Sequence, residues 1–217
     1  MRFLRGIPAE IQEIARLQRA ILPDAIPSLL GFRYTCAFYR FALDSPDEAV
    51  VIGRNDGKVV ALAVATFAPK TLMRRLLLNT PLFLGVVAGL LRFKLWTAMF
   101  DLIFGHASTS SPLDPSGGGE FDAVPELLIL CTAPVARGQG HAGRLLDQIE
   151  ALMRARGVRR YTVRTFDDDN SSAFRFYAGR GFTAYGRQDA IFSSFRLMEK
   201  RLVVPARVGD PVISNRA

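Results

Sequence analysis

The feature that most constrains this chain is a change of hydrophobic pattern around residue 137. Before it lies an apolar run of strand length, Glu126–Thr132. After it, Leu145, Leu146, Ile149, Leu152 and Met153 recur at helical spacing over residues 142–156, and Gly157 follows as a helix C-cap glycine would. The two segments are joined through Arg137-Gly138-Gln139-Gly140-His141-Ala142-Gly143. The first amides of a helix lack intrahelical acceptors, and the helix dipole favours negative charge there. Glycines let an anion approach the main chain closely. Such a turn suits a pyrophosphate held by main-chain donors. No Gly-Lys-Ser/Thr closes it, which excludes a P-loop, and the spacing Gly-x-Gly-x-x-Gly is absent. On the loop alone, a tight strand–helix turn without a ligand stays open as the alternative.

Around this unit the pattern predicts alternating helices and strands. Ile11, Ile14, Ala15, Leu17 and Ile21 mark an amphipathic helix over residues 8–22, and a second helix is predicted over 28–43. Residues 49–53 and 58–65 form two strands joined by Asn55-Asp56-Gly57, a hairpin. Residues 69–108 read as two helices broken at Pro81, and the Ser-, Pro- and Gly-rich stretch 108–119 as a loop. Arg160–Phe166 is a strand, and residues 170–178 a helix with Asp169 or Asn170 as N-cap. Strands follow from Gly181-Phe182 and over 191–202.

The 217 residues suffice for one buried core of the α/β kind, so a single domain over 1–217 is expected. Cys36 and Cys131 are expected as reduced thiols. The N-terminus lacks the apolar stretch of a signal peptide, and the expected setting is cytoplasmic. A net charge of +8 suits anionic partners, but the arginines are dispersed and neither RNA-binding nor zinc-ligand spacing is present. A phosphate-rich cofactor is partner enough; no nucleic acid and no metal is expected.

Two signatures in this sequence resemble those of the GNAT N-acetyltransferase superfamily. One is Pro134-Val135-Ala136-Arg137-Gly138-Gln139-Gly140-His141-Ala142 after a strand. The other is Asn170-Ser171-Ser172-Ala173-Phe174-Arg175-Phe176-Tyr177-Ala178-Gly179-Arg180-Gly181-Phe182, matching Asn-x-x-Ala-x-x-Phe-Tyr-x-x-x-Gly-Phe. The likeness is sharp from Glu126 to Phe182 and looser before residue 69. It implies an α/β (α+β) fold with a mixed, mostly antiparallel sheet flanked by helices and splayed between the fourth and fifth strands. Residues 69–123 then stand as a helical insertion between the third and fourth strands.

The resemblance also implies a site. Main-chain amides of Arg137, Gly138, Gln139, Gly140, His141, Ala142 and Gly143 would hold the pyrophosphate of acetyl-coenzyme A. Main-chain groups of Leu130, Cys131 and Thr132 would pair with its pantetheine arm. Asn170 would hydrogen-bond that arm, with Ala173 and Phe176 packed beside it. Tyr177 would be the general acid that protonates the departing sulfur. Transfer to an amine also needs the amine's proton removed. Glu126 is the candidate base, with water as the alternative, and strict alternation puts Glu126, Leu128, Leu130 and Thr132 on one face. Asp167, Asp168 and Asp169 read as a solvated turn and helix cap more readily than as an acceptor site. Cys131 reads as a small buried hydrophobe rather than a nucleophile.

The expected acceptor is a small-molecule or peptide amine attacked in a ternary complex. Two rivals are kept: transfer of a longer acyl chain, and a non-catalytic coenzyme A-binding or membrane-associated module. Residues 76–91 are apolar but shorter than the roughly 20 needed to span a bilayer. A helical cover over the acceptor site is the preferred reading of the insertion, ahead of a homodimer contact or a helix at a membrane surface.

Overall fold

The computed structural model describes residues 2–5, 8–79, 81, 124–166, 171–190 and 193–204. In chain order these form β1 (Arg2–Arg5), a 3-10 turn (Pro8–Glu10), α1 (Ile11–Ile21), α2 (Ile26–Leu29), α3 (Phe32–Asp44), β2 (Glu48–Asn55), β3 (Lys58–Thr66) and α4 (Pro69–Leu78). Then come β4 (Glu126–Thr132), a 3-10 turn (Pro134–Ala136), α5 (His141–Ala155), β5 (Arg160–Phe166), α6 (Ser172–Gly179), β6 (Thr183–Ala190) and β7 (Ser193–Arg201). Seven strands make one sheet in the order β1-β2-β3-β4-β5-β7-β6. Every neighbouring pair is antiparallel except β4 and β5.

Residues of β3 show how the two faces are filled. Leu62 and Val64 pack with Ile11, Ile14, Phe38 and Tyr39 from α1 and α3. Ala61, Ala63 and Ala65 point the other way, and their small side chains admit Leu145, Leu146, Ile149 and Met153 of α5. Those four α5 side chains are fully buried. Each contributes roughly 1.5–3 kcal/mol of hydrophobic burial, so α5 is fixed firmly against the sheet.

The hairpin, both strands of the central unit and its helix lie where the sequence predicts them. Four expectations change. Residues 2–5, for which no element was predicted, form an edge strand paired with β2. The second helix is two, because Gly31 at φ 100° interrupts it. The cap of α6 is Ser171, whose hydroxyl accepts the Phe174 amide at 3.0 Å. Asp, Asn and Ser are near-equal caps, so the sequence did not choose among them.

The fourth change matters for function. Val64 faces Ile129 while Ala65 faces Leu127, so Leu128 is an extra residue on β4, a β-bulge. It reverses the alternation. Leu127 and Leu130 pack on the α5 side, whereas Ile129 and Cys131 pack on the α1/α3 side. Opposite Thr66, which shares the parity of Leu62 and Val64, Glu126 belongs to the α1/α3 face. Thr132 lies opposite Ala61 and belongs to the α5 face. Glu126 and Thr132 therefore do not share a face.

Of the expected insertion, only α4, its C-cap Asn79 and Pro81 fall within the described residues. Pro69 starts α4, where a proline's missing N–H costs nothing. The helix is tied to the sheet by Arg75, whose guanidinium contacts both oxygens of buried Glu48 at 2.8 Å. The second predicted helix, the loop 108–119 and the role of the cover lie outside the described residues. Among those described, no helix is long and apolar enough to cross a membrane.

Candidate active site

The site begins where β4 and β5 part. Their pairing is limited to Glu126 with Thr162 and Leu127 with Val163. On its other edge β4 stays paired to β3 as far as Thr132. Beyond Leu127 the β5-facing edge of β4 therefore has no partner strand among the described residues. On that edge the main-chain groups of Leu130 and Thr132 line a wedge that opens toward the 134–140 loop; those of Cys131, expected there too, turn to β3, because the Ala133 amide bonds the Val60 carbonyl and strand residues alternate.

At the wide end of the wedge the loop presents donors. Gly138 and Gly140 have φ of 74° and 76°, a conformation that suits glycine. Gly140 is the N-cap of α5 and no side chain caps that helix. The amides of Gly138, Gln139, Gly140, Ala142 and Gly143 have no main-chain acceptor among the described residues. Arg137, Gly138, Gln139 and Gly140 are exposed, while Ala142 and Gly143 are half-buried. The buried ring of His141 hydrogen-bonds Gln139 at 3.1 Å, and Gln139 also donates to the Val135 carbonyl at 3.1 Å. Gln139 thus folds back on the loop rather than over the helix end. Arg180 bonds the Gly143 carbonyl at 2.6 Å and Asp147 at 2.7 Å, joining the start of α5 to the end of α6. A β-carbon at Gly143 would lie 2.9 Å from that guanidinium.

Tyr177 enters from the other side of the wedge, and the local sequence explains its placement. Gly181, at φ 82°, ends α6 in a left-handed turn, and the Phe182 amide bonds the Tyr177 carbonyl at 3.1 Å. This is the helix-ending motif in which the residue after the glycine packs on the one that accepts its amide. The Tyr177 and Phe182 rings meet edge to face at 5.2 Å, and half-buried Phe176 contacts Tyr177 at 5.4 Å. The spacing Tyr-x-x-x-Gly-Phe is therefore a packing device as well as a signature. Burial, with a smaller effect of nearby Cys131, pushes the Tyr177 hydroxyl above the ordinary tyrosine range. It holds its proton at neutral pH. The buried Cys131 thiol is pushed up to about 12, mainly by desolvation, so it is not a thiolate nucleophile. Neither cysteine is in a disulfide.

At the narrow end, Glu126 is buried and both its oxygens are occupied by Arg164, at 2.6 and 2.9 Å. Arg164 also reaches Gln188 at 3.5 Å. Burial and the Glu126 charge push the nearby Tyr185 hydroxyl up to about 12. Neither Arg164 nor Tyr185 stands out in the sequence as a site residue. A cation in the middle of a strand, directly after Val163, was the available signal for Arg164.

Two further groups were not anticipated. The Thr132 and Thr165 hydroxyls are buried and have no hydrogen-bond partner among the described residues. Thr165 shares the parity of Tyr161 and Val163, so both threonines stand on the α5/α6 face, one on each strand beside the wedge. Ala173 is exposed on α6. Asn170 and Asp167 to Asp169 lie outside the described residues. The open strand edge, uncapped amides and unpaired hydroxyls together fit an elongated ligand with amides along it and phosphates at one end.

A family model described as the acetyltransferase (GNAT) family matches residues 11–182, and the chain belongs to that family. No curated protein matches it in sequence. Solved structures with the same fold include aminoglycoside 6′-acetyltransferase type Ii, at 13% identity and TM-score 0.59, covering 94% of this chain and 98% of that one. A ribosomal-protein-alanine N-acetyltransferase from Brucella melitensis aligns at 14% identity and TM-score 0.57, covering 93% and 100%. A PaiA N-acetyltransferase from Thermoplasma acidophilum in complex with coenzyme A aligns at 13% and 0.51, covering 93% and 98%. At such identities the likeness concerns the fold. The chain is a GNAT-type acyltransferase.

Proposed function

We propose that this protein moves an acetyl group from acetyl-coenzyme A to a primary amine by direct attack in a ternary complex. The observation that carries the reading is the wedge between β4 and β5, with uncapped amides at its wide end and the Tyr177 hydroxyl buried beside it. The amides of Gly138, Gln139, Gly140, Ala142 and Gly143 would hold the pyrophosphate, as helix N-termini do, whereas the Arg137 amide, expected to join them, is taken by the Pro134 carbonyl at 3.2 Å. Leu130 and Thr132 would pair with the arm through the main chain, and Asn170, Ala173 and Phe176 would flank it. When bound, the cosubstrate supplies an activated acetyl thioester. Tyr177 keeps a proton ready for the departing sulfur. The acceptor is a small-molecule or peptide amine.

For the amine's proton, this reading favours water over Glu126. Both Glu126 oxygens already accept from the Arg164 guanidinium, so turning one to an amine would break that pair, and the pair serves to close the apex of the wedge. Glu126→Gln is expected to keep kcat within about threefold of wild type while lowering stability by about 1–2 kcal/mol. A loss of kcat of roughly a hundredfold or more, with the acid limb of the pH–rate profile removed, would assign the base to Glu126.

The proposal is tested by thioester release from acetyl-coenzyme A against a panel of amines, amino sugars and peptides, with a thermal shift on coenzyme A alone. Release with one amine class is the expected result. A shift without release on a broad panel favours the coenzyme A-binding module. No shift and no release overturns the reading.

A further inference from the structure

We propose that the side-chain hydroxyls of Thr132 and Thr165 are hydrogen-bonding partners for the amide groups of the donor's pantetheine arm. The inference rests on the donor site proposed above and adds side chains to a contact so far described through the main chain. Thr165 is 5% exposed and its hydroxyl has no partner among the described residues; the Thr132 hydroxyl is likewise buried and unpaired among them. A buried hydroxyl left unpaired destabilises a fold, and most are paired in native proteins. Here two occur on the two strands that border one wedge, on the same face, next to the segment where β4 has lost its strand partner.

Packing alone does not account for them. On β5 the residues of the same parity are buried in the α5/α6 core without an orphaned group: Val163 is apolar, and the Tyr161 hydroxyl is paired with Glu150 at 2.8 Å. Valine has the shape of threonine and would fill position 165 without the orphaned oxygen. A hydroxyl can donate to a carbonyl and accept from an N–H. That suits an arm carrying amides whatever their direction.

The test uses the valine variants, because the proposal gives stability and affinity opposite signs. In Thr165→Val, the ligand-free protein should melt at the wild-type temperature or above it. Its Kd for coenzyme A, by calorimetry, should rise about tenfold. Thr132→Val should behave in the same direction, and Thr165→Ser, which keeps the hydroxyl, should bind as wild type does. Adenosine 3′,5′-bisphosphate, which lacks the arm, should bind wild type and both valine variants equally. Wild-type coenzyme A binding retained in both valine variants overturns the proposal alone. A matching loss of affinity for the bisphosphate also overturns it, since the effect would then not concern the arm. Wild-type protein that binds neither ligand overturns the donor site and this proposal together.

Discussion

Tyr177→Phe is expected to lower kcat by about a hundredfold, the lower end of what a positioned acid contributes, while Kd for coenzyme A moves by less than about twofold. The asymmetry follows from where the ring and its hydroxyl sit. The ring belongs to the core, pinned edge to face on Phe182 by the Gly181 turn and touching Phe176. Phenylalanine keeps those contacts, so the fold and the cofactor groove should persist. What is lost is one proton at a hydroxyl that burial keeps protonated through the neutral range. Stability should therefore change little, or rise slightly, because a buried polar group is removed. The measurement is steady-state kinetics with an accepted amine, paired with calorimetry on coenzyme A. Equal losses in kcat and affinity would make Tyr177 a packing residue; an unchanged kcat would remove it from the acid role.

The central unit was legible because its signals do not depend on distant residues. The strands Glu126–Thr132 and Arg160–Phe166 have the predicted bounds, and α5 starts one residue before its predicted start. Glycines and prolines punctuate that region, and apolar residues at helical spacing fill it. The failures share one cause. Leu127, Leu128, Ile129 and Leu130 are all apolar, and a strand buried on both faces carries no mark of which residue faces where. The bulge at Leu128 was therefore invisible, and with it the face of Glu126. The Glu126–Arg164 pair depends on the register between β4 and β5, which only the fold sets. Thr165 sits at a position where valine and threonine satisfy the same pattern. Its isolation is a property of three-dimensional burial.

A second large effect is expected at Glu150, on the same helix that presents the pyrophosphate-binding amides. Glu150→Gln should lower stability by about 2–3 kcal/mol, or roughly 8 °C in Tm for a chain of this size. Glu150 is 3% exposed and takes hydrogen bonds from Tyr161 and Arg154, each at 2.8 Å, and from Lys200. It thereby ties α5 to β5 and β7. Removing a buried charge from its partners typically costs 3–5 kcal/mol. The smaller figure reflects Lys200 and Arg154, which are 21% and 38% exposed and can turn to water. Desolvation raises the Glu150 pKa, but the Lys200 and Tyr161 hydrogen bonds and the nearby cations outweigh it, and the net shift is downward. A carboxyl depressed in the folded state adds stability above its unfolded value of about 4.3. That stability is lost as pH falls through the folded value. Urea unfolding should accordingly show the full difference between wild type and Glu150→Gln at pH 7, and a shrinking difference below about pH 4. A constant difference across that range would place the contribution in packing rather than charge. Because the cluster lies beneath α5 and away from the wedge, kcat per folded molecule should not change. A variant that unfolds no more readily yet loses coenzyme A affinity would instead mean that Glu150 acts through the amides at the start of its helix.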